Sequence, residues 1–339
     1  MIVMMLLARI RLVIFAMVLL GIAASGPASA QKLGPDGAPN PTASVASERD
    51  LLKQFPRVEG RIDIPDTKAG VLIHPAGRTW DYFHEVLLRW GGAIVILGTI
   101  ALLALAYMML GRIRIAAGRS GRKILRFRDF ERFSHWLTAA SFVILGLTGL
   151  NITFGKILLL PVIGPDAFSS VSQAAKYVHN FTSFSFVAGL VLIAVIFFRD
   201  NLLERVDIDW LKQGGGFIKN KHAPAGRFNL GEKLVYWFSL GAGVAVSVSG
   251  FLLLFPFYGT DISDMELAQV VHAVIALLFI ALILGHIYIG TLGMEGAFEA
   301  MGTGEVDLNW AKEHHDRWLA EQLANQNRQE EPSAGEVVR

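Results

Sequence analysis

The sequence contains no cysteine, which excludes disulfides, thiolate-bound zinc, iron–sulfur clusters, covalently attached c-type haem and a cysteine nucleophile. Charged residues are also scarce, at 18% of the 339 positions, whereas an average soluble domain has roughly 25%. The net charge is only +2, so no strong positive field would attract a nucleic acid. Hydrophobic residues, in contrast, make up 53% of the chain. These proportions indicate a membrane protein that binds no nucleic acid and that must hold any metal or cofactor without thiolates.

The first 30 residues have the composition of an export signal. Two arginines precede an apolar run from Leu12 to Ala24, and the small residues Ala28-Ser29-Ala30 follow. A positive start, a short apolar run and an A-x-A cleavage site together are typical of a signal peptide. The alternative is an uncleaved anchor helix, although the run is shorter than the ~20 residues that span a bilayer. We therefore predict a signal peptide at 1–30 and an exported, mostly irregular segment at 31–85, which is either a solvated leader or a strip that packs on a partner.

Five apolar stretches are long enough to cross a bilayer, and each must be a helix because a lipid-exposed strand would leave its own backbone unsatisfied. The sequence thus predicts an all-α membrane protein with five transmembrane helices after the signal peptide. The expected spans are 86–110, 133–154, 177–198, 234–256 and 266–292. The expected order is a first span at 86–110, a basic loop at 111–132, a four-helix core at 133–292 and a tail at 293–339.

Lys and Arg in the connecting loops predict the orientation in the membrane. There are eight at 111–132 and seven at 199–233, but two at 155–176 and none at 257–265. Because loops rich in Lys and Arg stay in the cytoplasm, the two basic loops and the C-terminal tail are predicted to be cytoplasmic. An exported N-terminus followed by an odd number of spans gives the same result. We therefore expect a multi-pass protein of the bacterial inner membrane with a periplasmic mature N-terminus.

Four of the nine histidines lie in apolar spans, namely His135, His179, His272 and His286. The alternating directions of the spans place the first and last of these near the inner face and the middle two near the outer face. His272 and His286 share one face of the fifth span, since fourteen residues correspond to about 40° of net rotation and about 21 Å of rise. Two imidazoles from different helices at each of two depths form the axial ligand set of two stacked haems. Without cysteine, these haems must be of the b type.

The second and fourth spans contain glycines, and five histidines lie outside the apolar spans. Gly146 and Gly149 in the second span, and Gly241, Gly243 and Gly250 in the fourth, would admit either a flat macrocycle or a closely packed helix. The other five histidines fall in tails or loops and are predicted to be solvated, with His84 as an exception at the outer membrane boundary: His74, His84, His222, His314 and His315.

Several motifs resemble the gamma subunit of respiratory formate dehydrogenase, a membrane cytochrome b. The resemblance covers about residues 60–320 and lies in RFSHWLTAASFVILGLTGL (132–150), YVHNF (177–181), RFNLGEK (227–233), the histidine pair of the fifth span and WAKEHH (310–315). The four core spans are shared more loosely with cytochrome b subunits of nickel–iron hydrogenase and thiosulfate reductase. The signal peptide and the additional first span resemble the longer gamma subunits and depart from the shorter, four-span members.

The resemblance implies a function and partners. It implies that the four histidines bind two b haems, and that menaquinone or ubiquinone binds beside the inner haem at Asn229 and Gly231 of the motif Asn229-Leu230-Gly231. It also implies an iron–sulfur beta subunit and a molybdenum or tungsten catalytic alpha subunit outside the membrane. The expected function is electron transfer from the periplasmic iron–sulfur partner through the two haems to quinone on the cytoplasmic side, while formate is oxidised on another subunit.

Three alternatives stay open from the residues alone. Asn229 has a second interpretation as the N-cap of the fourth span, a position that asparagine favours. The chain is alternatively the cytochrome b subunit of a nickel–iron hydrogenase or thiosulfate reductase type complex. A different class is a haem-free membrane anchor in which the histidines relay protons.

Overall fold

The computed structural model describes residues 59–61, 71–73, 77–216, 223–256 and 258–330. The predicted signal peptide and most of the exported segment lie outside these described residues. Within them, five helices are long and apolar enough to cross a membrane, which confirms the number of spans that hydropathy predicts. They run over Thr79–Leu110, Asp129–Leu158, Leu160–Phe197, Leu230–Leu254 and Ile262–Gly293.

The described helices and strands follow one another in a simple order. The α-helices are α1 (Gly77–Tyr82), α2 (Arg89–Leu110), α3 (Asp129–Leu158), α4 (Leu160–Phe197), α5 (Arg205–Lys212), α6 (Leu230–Leu254), α7 (Ile262–Tyr288), α8 (Ala297–Gly302), α9 (Leu308–His314) and α10 (Asp316–Glu330). Turns of π-helix at Phe83–Leu88 and Ile289–Gly293 extend the first and last spans. The strands are β1 (Glu59–Arg61), β2 (Val71–Ile73), β3 (Lys123–Leu125) and β4 (Glu305–Asp307).

The second and third spans are longer than their apolar centres. Asp129 and Glu131 lie in the first turn of α3, where acidic side chains stabilise the positive end of the helix dipole. Helix α4 is interrupted at Gly164, whose φ of 79° is left-handed, and continues from Pro165 to Phe197. Proline is tolerated there because the first helical residue needs no N–H donor. The polar turns before the apolar run are therefore helical, although hydropathy places them in a loop.

The chain divides into two compact units, and each of the five described spans contributes residues to both. Unit 1 comprises Met1–Gly91, Val143–Ser183 and Phe251–Val270, and unit 2 comprises Gly92–Phe142, Phe184–Gly250 and Val271–Arg339. In unit 1, Asn151 of α3 donates a hydrogen bond to Ser172 of α4 at 3.4 Å. A Cβ added at Gly155 would lie 3.0 Å from the Phe168 ring, so glycine permits the close approach of these two helices.

Aromatic rings and a glycine hold the helices of unit 2 together. Phe142 and Phe279 have ring centroids 4.5 Å apart, and Phe186 packs against both. Offset or tilted aromatic pairs at this distance are favourable beyond their burial alone. A Cβ added at Gly189 would overlap Thr138, so the absence of a side chain brings α4 against α3.

The segment after the fifth span folds back onto the loop that follows the first span. Strands β3 and β4 pair antiparallel, with Ile124 opposite Val306. Asp307 accepts hydrogen bonds from the Ser120 hydroxyl at 3.0 Å and from the Gly121 N–H at 3.1 Å. The apolar core beneath this sheet is made of Ile115, Ile124, Phe127, Phe197, Tyr236, Ala300, Val306, Trp310, Ala311, Trp318 and Leu319.

His315 lies in this core, and the prediction that it is solvated is wrong. Its residue exposure is 0%, and its Nδ1 donates a hydrogen bond to the Gly226 carbonyl oxygen at 3.0 Å. The ring also packs on Trp310, with centroids 5.2 Å apart. The sequence around His315 is polar, and its burial comes from residues far away in the chain. His74 and His222 lie outside the described residues.

Candidate functional site

Helices α3 and α7 bring His135 and His286 together within unit 2. Their ring centroids are 6.2 Å apart and their planes are inclined by 57°. Two imidazoles that bind one metal ion from opposite sides, with metal–nitrogen bonds of about 2.0 Å, have centroids roughly 6 Å apart. The observed separation therefore fits a pair of axial ligands.

The donor chemistry around this pair favours a metal that is carried by its own macrocycle. The Nδ1 atom of His135 is buried, and it neither donates a hydrogen bond to a described residue nor accepts one. Such a buried polar atom costs about 1–3 kcal/mol when nothing binds it. No group of three or more His, Cys, Asp and Glu side chains within the described residues is arranged to hold a metal ion. Haem needs only two axial ligands from the protein, so the histidine pair fits haem better than a free metal ion.

His272 is held in one tautomer by the backbone of α6. Its Nδ1 lies 3.0 Å from the Val246 carbonyl oxygen and 3.2 Å from the Ser249 hydroxyl. Because a carbonyl oxygen can only accept, Nδ1 carries the proton and the neutral ring has its lone pair on Nε2. Metal-binding histidines are commonly oriented by a carbonyl in this way.

His179 reaches the same tautomer in unit 1 through a hydroxyl group. Its Nδ1 lies 2.8 Å from the Thr148 hydroxyl oxygen, and that hydroxyl lies 2.8 Å from the Ile144 carbonyl oxygen. The Thr148 hydroxyl donates its only proton to the carbonyl and therefore accepts the Nδ1 proton of His179. The Nε2 atom of His179 is thus the basic nitrogen.

Two of the predicted glycines lie directly against these two histidines. A Cβ at Gly149 would be 3.5 Å from Cε1 of His179, and a Cβ at Gly250 would be 3.2 Å from Cε1 of His272. Each glycine lets an imidazole ring rest against a helix backbone. Gly243 has a different role, because its Cβ would be 2.8 Å from the Leu190 side chain. A Cβ at Gly241 would meet nothing within 4 Å.

Asn229 caps the fourth span, as its second interpretation predicts. Its Oδ1 accepts a hydrogen bond from the Glu232 N–H at 3.0 Å, and its own N–H donates to Glu232 Oε2 at 2.9 Å. This reciprocal pair is a capping box. The Nδ2 group of Asn229 makes no hydrogen bond to any residue in the described part of the chain. A Cβ at Gly231 would be 3.4 Å from the Trp210 ring, so this backbone approaches an aromatic side chain of α5.

Arg126 is a buried residue of this region that the sequence did not distinguish from the other loop charges. Its exposure is 3%, and its guanidinium donates to the Arg227 carbonyl oxygen at 2.9 Å and to Glu232 at 3.3 Å. Burial lowers the pKa of Arg126 to about 10, with a further decrease from the Arg227 charge and an opposing effect from Glu232. The guanidinium lies over four aromatic rings, those of Phe127, Phe228, Trp310 and Trp318.

Two further cations tie the ends of the helices in unit 2 together. Arg227 binds Glu131 and Asp200, each at 2.6 Å. Lys233 is 2% exposed, and its Nζ donates to Asp207 at 2.9 Å and to the Leu202 carbonyl oxygen at 2.8 Å. These ion pairs fix the start of α6, where Asn229 and Gly231 lie.

The family described as prokaryotic cytochrome b561 matches residues 126–304. The chain belongs to this family. The match includes all four span histidines and the Asn229-Leu230-Gly231 motif. This cytochrome b561 family member is therefore a membrane cytochrome b, in agreement with the five apolar helices among the residues that the structure describes.

Proteins similar to this chain are named as cytochrome b556 subunits of formate dehydrogenase. The cytochrome b561 family member is 31% identical over 202 residues to the formate dehydrogenase cytochrome b556(fdo) subunit of Escherichia coli (strain K12), covering 58% of this chain and 92% of that one. The formate dehydrogenase cytochrome b556 subunit of Haemophilus influenzae is 29% identical, with 59% and 84% covered. The nitrate-inducible cytochrome b556(Fdn) subunit of E. coli K12 is 26% identical, with 59% and 92% covered. The resemblance predicted from the motifs is confirmed.

Proposed function

We propose that this cytochrome b561 family member is the membrane subunit of a formate dehydrogenase complex and passes electrons from a periplasmic iron–sulfur partner to membrane quinone on the cytoplasmic side. The observation that carries the proposal is the 6.2 Å separation of the His135 and His286 rings inside the matched region. The names of the similar proteins favour formate over hydrogen as the donor. The proposed location is the bacterial inner membrane, with the C-terminus in the cytoplasm.

In this proposal His135 and His286 hold an inner b haem, and His179 and His272 hold an outer one. Haem b, when bound, supplies a centre that accepts and donates one electron at a time. The Nδ1 hydrogen bonds of His179 and His272 orient each ring and leave Nε2 as the basic nitrogen. The pairing of the outer histidines rests on their predicted depths in the membrane.

The capping role of Asn229 uses its backbone N–H and its Oδ1, and the proposed quinone position uses its side-chain Nδ2 group. The hydrogen bond from Glu232 to Oδ1 fixes the amide plane of Asn229. Its Nδ2 is then a fixed donor for a quinone carbonyl oxygen. Quinone reduction takes up protons, and Glu232 is the nearest carboxyl group to Asn229 in the described contacts.

The haem content of the purified full-length chain tests the first half of the proposal. The pyridine haemochrome assay should give two b haems per chain, and formate should reduce both when the chain is purified with its partners. A stoichiometry of one or zero would contradict the two histidine pairs. A haem-free chain would favour the anchor or proton-relay class instead.

Asn229 variants test the quinone position and separate it from the capping role. Asn229→Ala removes both the cap and the Nδ2 donor, whereas Asn229→Asp keeps a capping oxygen and removes only the donor. Both variants should slow quinone reduction while formate still reduces the haems. Normal quinone turnover in Asn229→Asp would return Asn229 to a purely capping role.

A further inference from the structure

Three hydrogen bonds fasten the stretch before α6 to the start of α10. Asp316 Oδ1 accepts from the Ala225 N–H at 2.9 Å, and the Ala225 carbonyl oxygen accepts from the Arg317 N–H at 3.2 Å. His315 Nδ1 donates to the Gly226 carbonyl oxygen at 3.0 Å. We call residues 315–317 the C-terminal clamp, because they hold both polar groups of Ala225 and the carbonyl of the next residue.

Asp316 and Arg317 are exposed residues, but the backbone that they hold at Ala225 and the His315 ring are shielded from water. Ala225 is 1% exposed and His315 is 0% exposed. The buried rings of Trp310 and Trp318 lie on either side of residues 315–317 in the sequence, and Trp310 packs on the His315 ring. Because water cannot replace the lost partners easily, removing one clamp group leaves a buried backbone atom unsatisfied. The backbone at Ala225 and Gly226 must then move.

The clamped stretch leads directly to Asn229. The Arg227 carbonyl oxygen accepts from Arg126, and the same guanidinium binds Glu232, whose Oε2 accepts from the Asn229 N–H. His315 Nε2 also lies 3.7 Å from that Oε2 atom. A displacement of Gly226 is therefore transmitted to the capping box that orients the Asn229 side chain.

We propose that the C-terminal clamp positions Asn229 for quinone binding, with His315 and Asp316 as positioning residues. This inference rests on the proposed quinone role of Asn229. The clamp makes no described contact with the four span histidines. Disturbing it therefore weakens quinone binding and leaves the haems and their reduction unchanged.

The test uses the full chain in detergent, reduced with dithionite and mixed with a short-chain ubiquinone or menaquinone analogue. Asp316→Ala and His315→Ala should raise the KM for the analogue roughly tenfold, which is less than the ~10²-fold loss that a 1 Å misplacement can cause. The maximal reoxidation rate should change less than the KM. Binding of a quinone-analogue inhibitor, measured by calorimetry, should weaken by the same factor.

Conservative variants separate positioning from general damage. Asp316→Asn keeps the Oδ1 acceptor, and His315→Asn keeps a donor near the Nδ1 position, so both should restore most of the affinity. Arg317→Ala is the matched control, because its side chain is exposed and its bond to Ala225 uses the backbone N–H. Hydrogen–deuterium exchange at the Ala225 amide should be faster in Asp316→Ala and normal in Arg317→Ala.

The outcomes distinguish the clamp inference from the proposed quinone position at Asn229. If Asn229→Asp weakens inhibitor binding but Asp316→Ala does not, the clamp is overturned and the proposed quinone position stands. If Asn229→Asp has no effect, the proposed quinone position and the clamp inference both fail. Should His315→Ala not assemble, the Asp316 pair of variants gives the answer alone.

Discussion

His135 near the start of α3 and His286 near the end of α7 face each other with ring centroids 6.2 Å apart. This spacing between side chains of two different spans fits one metal ion between them. The Nδ1 atom of His135 is buried and makes no hydrogen bond to any described residue. The relationship therefore leads to the most direct prediction about the haems.

Replacing either His135 or His286 with alanine should reduce the haem content from two per chain to one. One remaining axial imidazole holds a haem weakly, whereas the other histidine pair is untouched. Pyridine haemochrome measurements on the purified variants check this. His84→Ala, which removes an exposed histidine at the start of the first span, should keep both haems; equal haem loss in all three variants would contradict the assignment.

Thr148→Val should weaken haem retention through His179. Valine has nearly the same shape but cannot accept the Nδ1 proton, and loss of such an outer partner commonly lowers metal affinity by about 10- to 100-fold. The rate of haem transfer to apomyoglobin measures the effect. Thr153→Val is the matched control, because the Thr153 hydroxyl bonds only the Gly149 carbonyl of its own helix. Identical transfer rates for the two variants would show that the Thr148 hydroxyl does not support haem binding through His179.

Asp207→Asn should destabilise the protein by about 3–5 kcal/mol, the usual result when one partner of a buried ion pair is removed. Lys233, at 2% exposure, would lose its buried carboxylate at 2.9 Å and keep only the longer 3.8 Å ion pair to the exposed Glu204. Chemical unfolding in detergent, followed by the aromatic fluorescence, gives the change. Asp209→Asn changes an exposed carboxylate of the same helix and should alter the free energy of unfolding by less than about 0.5 kcal/mol.

His315 should make the free energy of unfolding decrease as the pH falls from about 7 to 5. Burial, with a further effect of the Arg126 charge, lowers the pKa of His315 well below its usual 6.5, and the hydrogen bond to Gly226 opposes this only in part. Below pH 6.5 the unfolded chain therefore binds a proton that the folded chain does not.

His315→Asn removes this titration, so the loss of stability on acidification should be smaller than in the natural chain. The other titratable and charged groups near His315 are present in both proteins, so their contributions to the pH dependence cancel in the comparison. They are Arg126, Glu232 and His314. Thermal unfolding midpoints at pH 7 and pH 5 provide the measurement. Equal losses in the two proteins would show that His315 does not titrate in this range.

The sequence predicts the spans well because bilayer thickness imposes a length on every apolar run. It misjudges the start of α4, since polar turns such as those after Pro165 are helical without being apolar. The cap at Asn229 has a local signal, because Glu232 follows three positions later. The burial of Arg126 and His315 has none, because it depends on partners about 90 or more positions away, such as Arg227 and Gly226.

The pairing of β3 with β4 also determines when this part of the protein can fold during its synthesis. Ser120 and Asp307, which meet beside this sheet, are 187 positions apart. At the usual pace of translation, the earlier strand waits about 10–40 s for the later one to be made. Until the later strand is made, Val306 and Trp310 cannot bury the apolar side chains of Ile124 and Phe127. Closure of the sheet thus requires synthesis to have passed Asp307, and a chain truncated before Glu305 would leave an apolar surface that proteases and chaperones recognise.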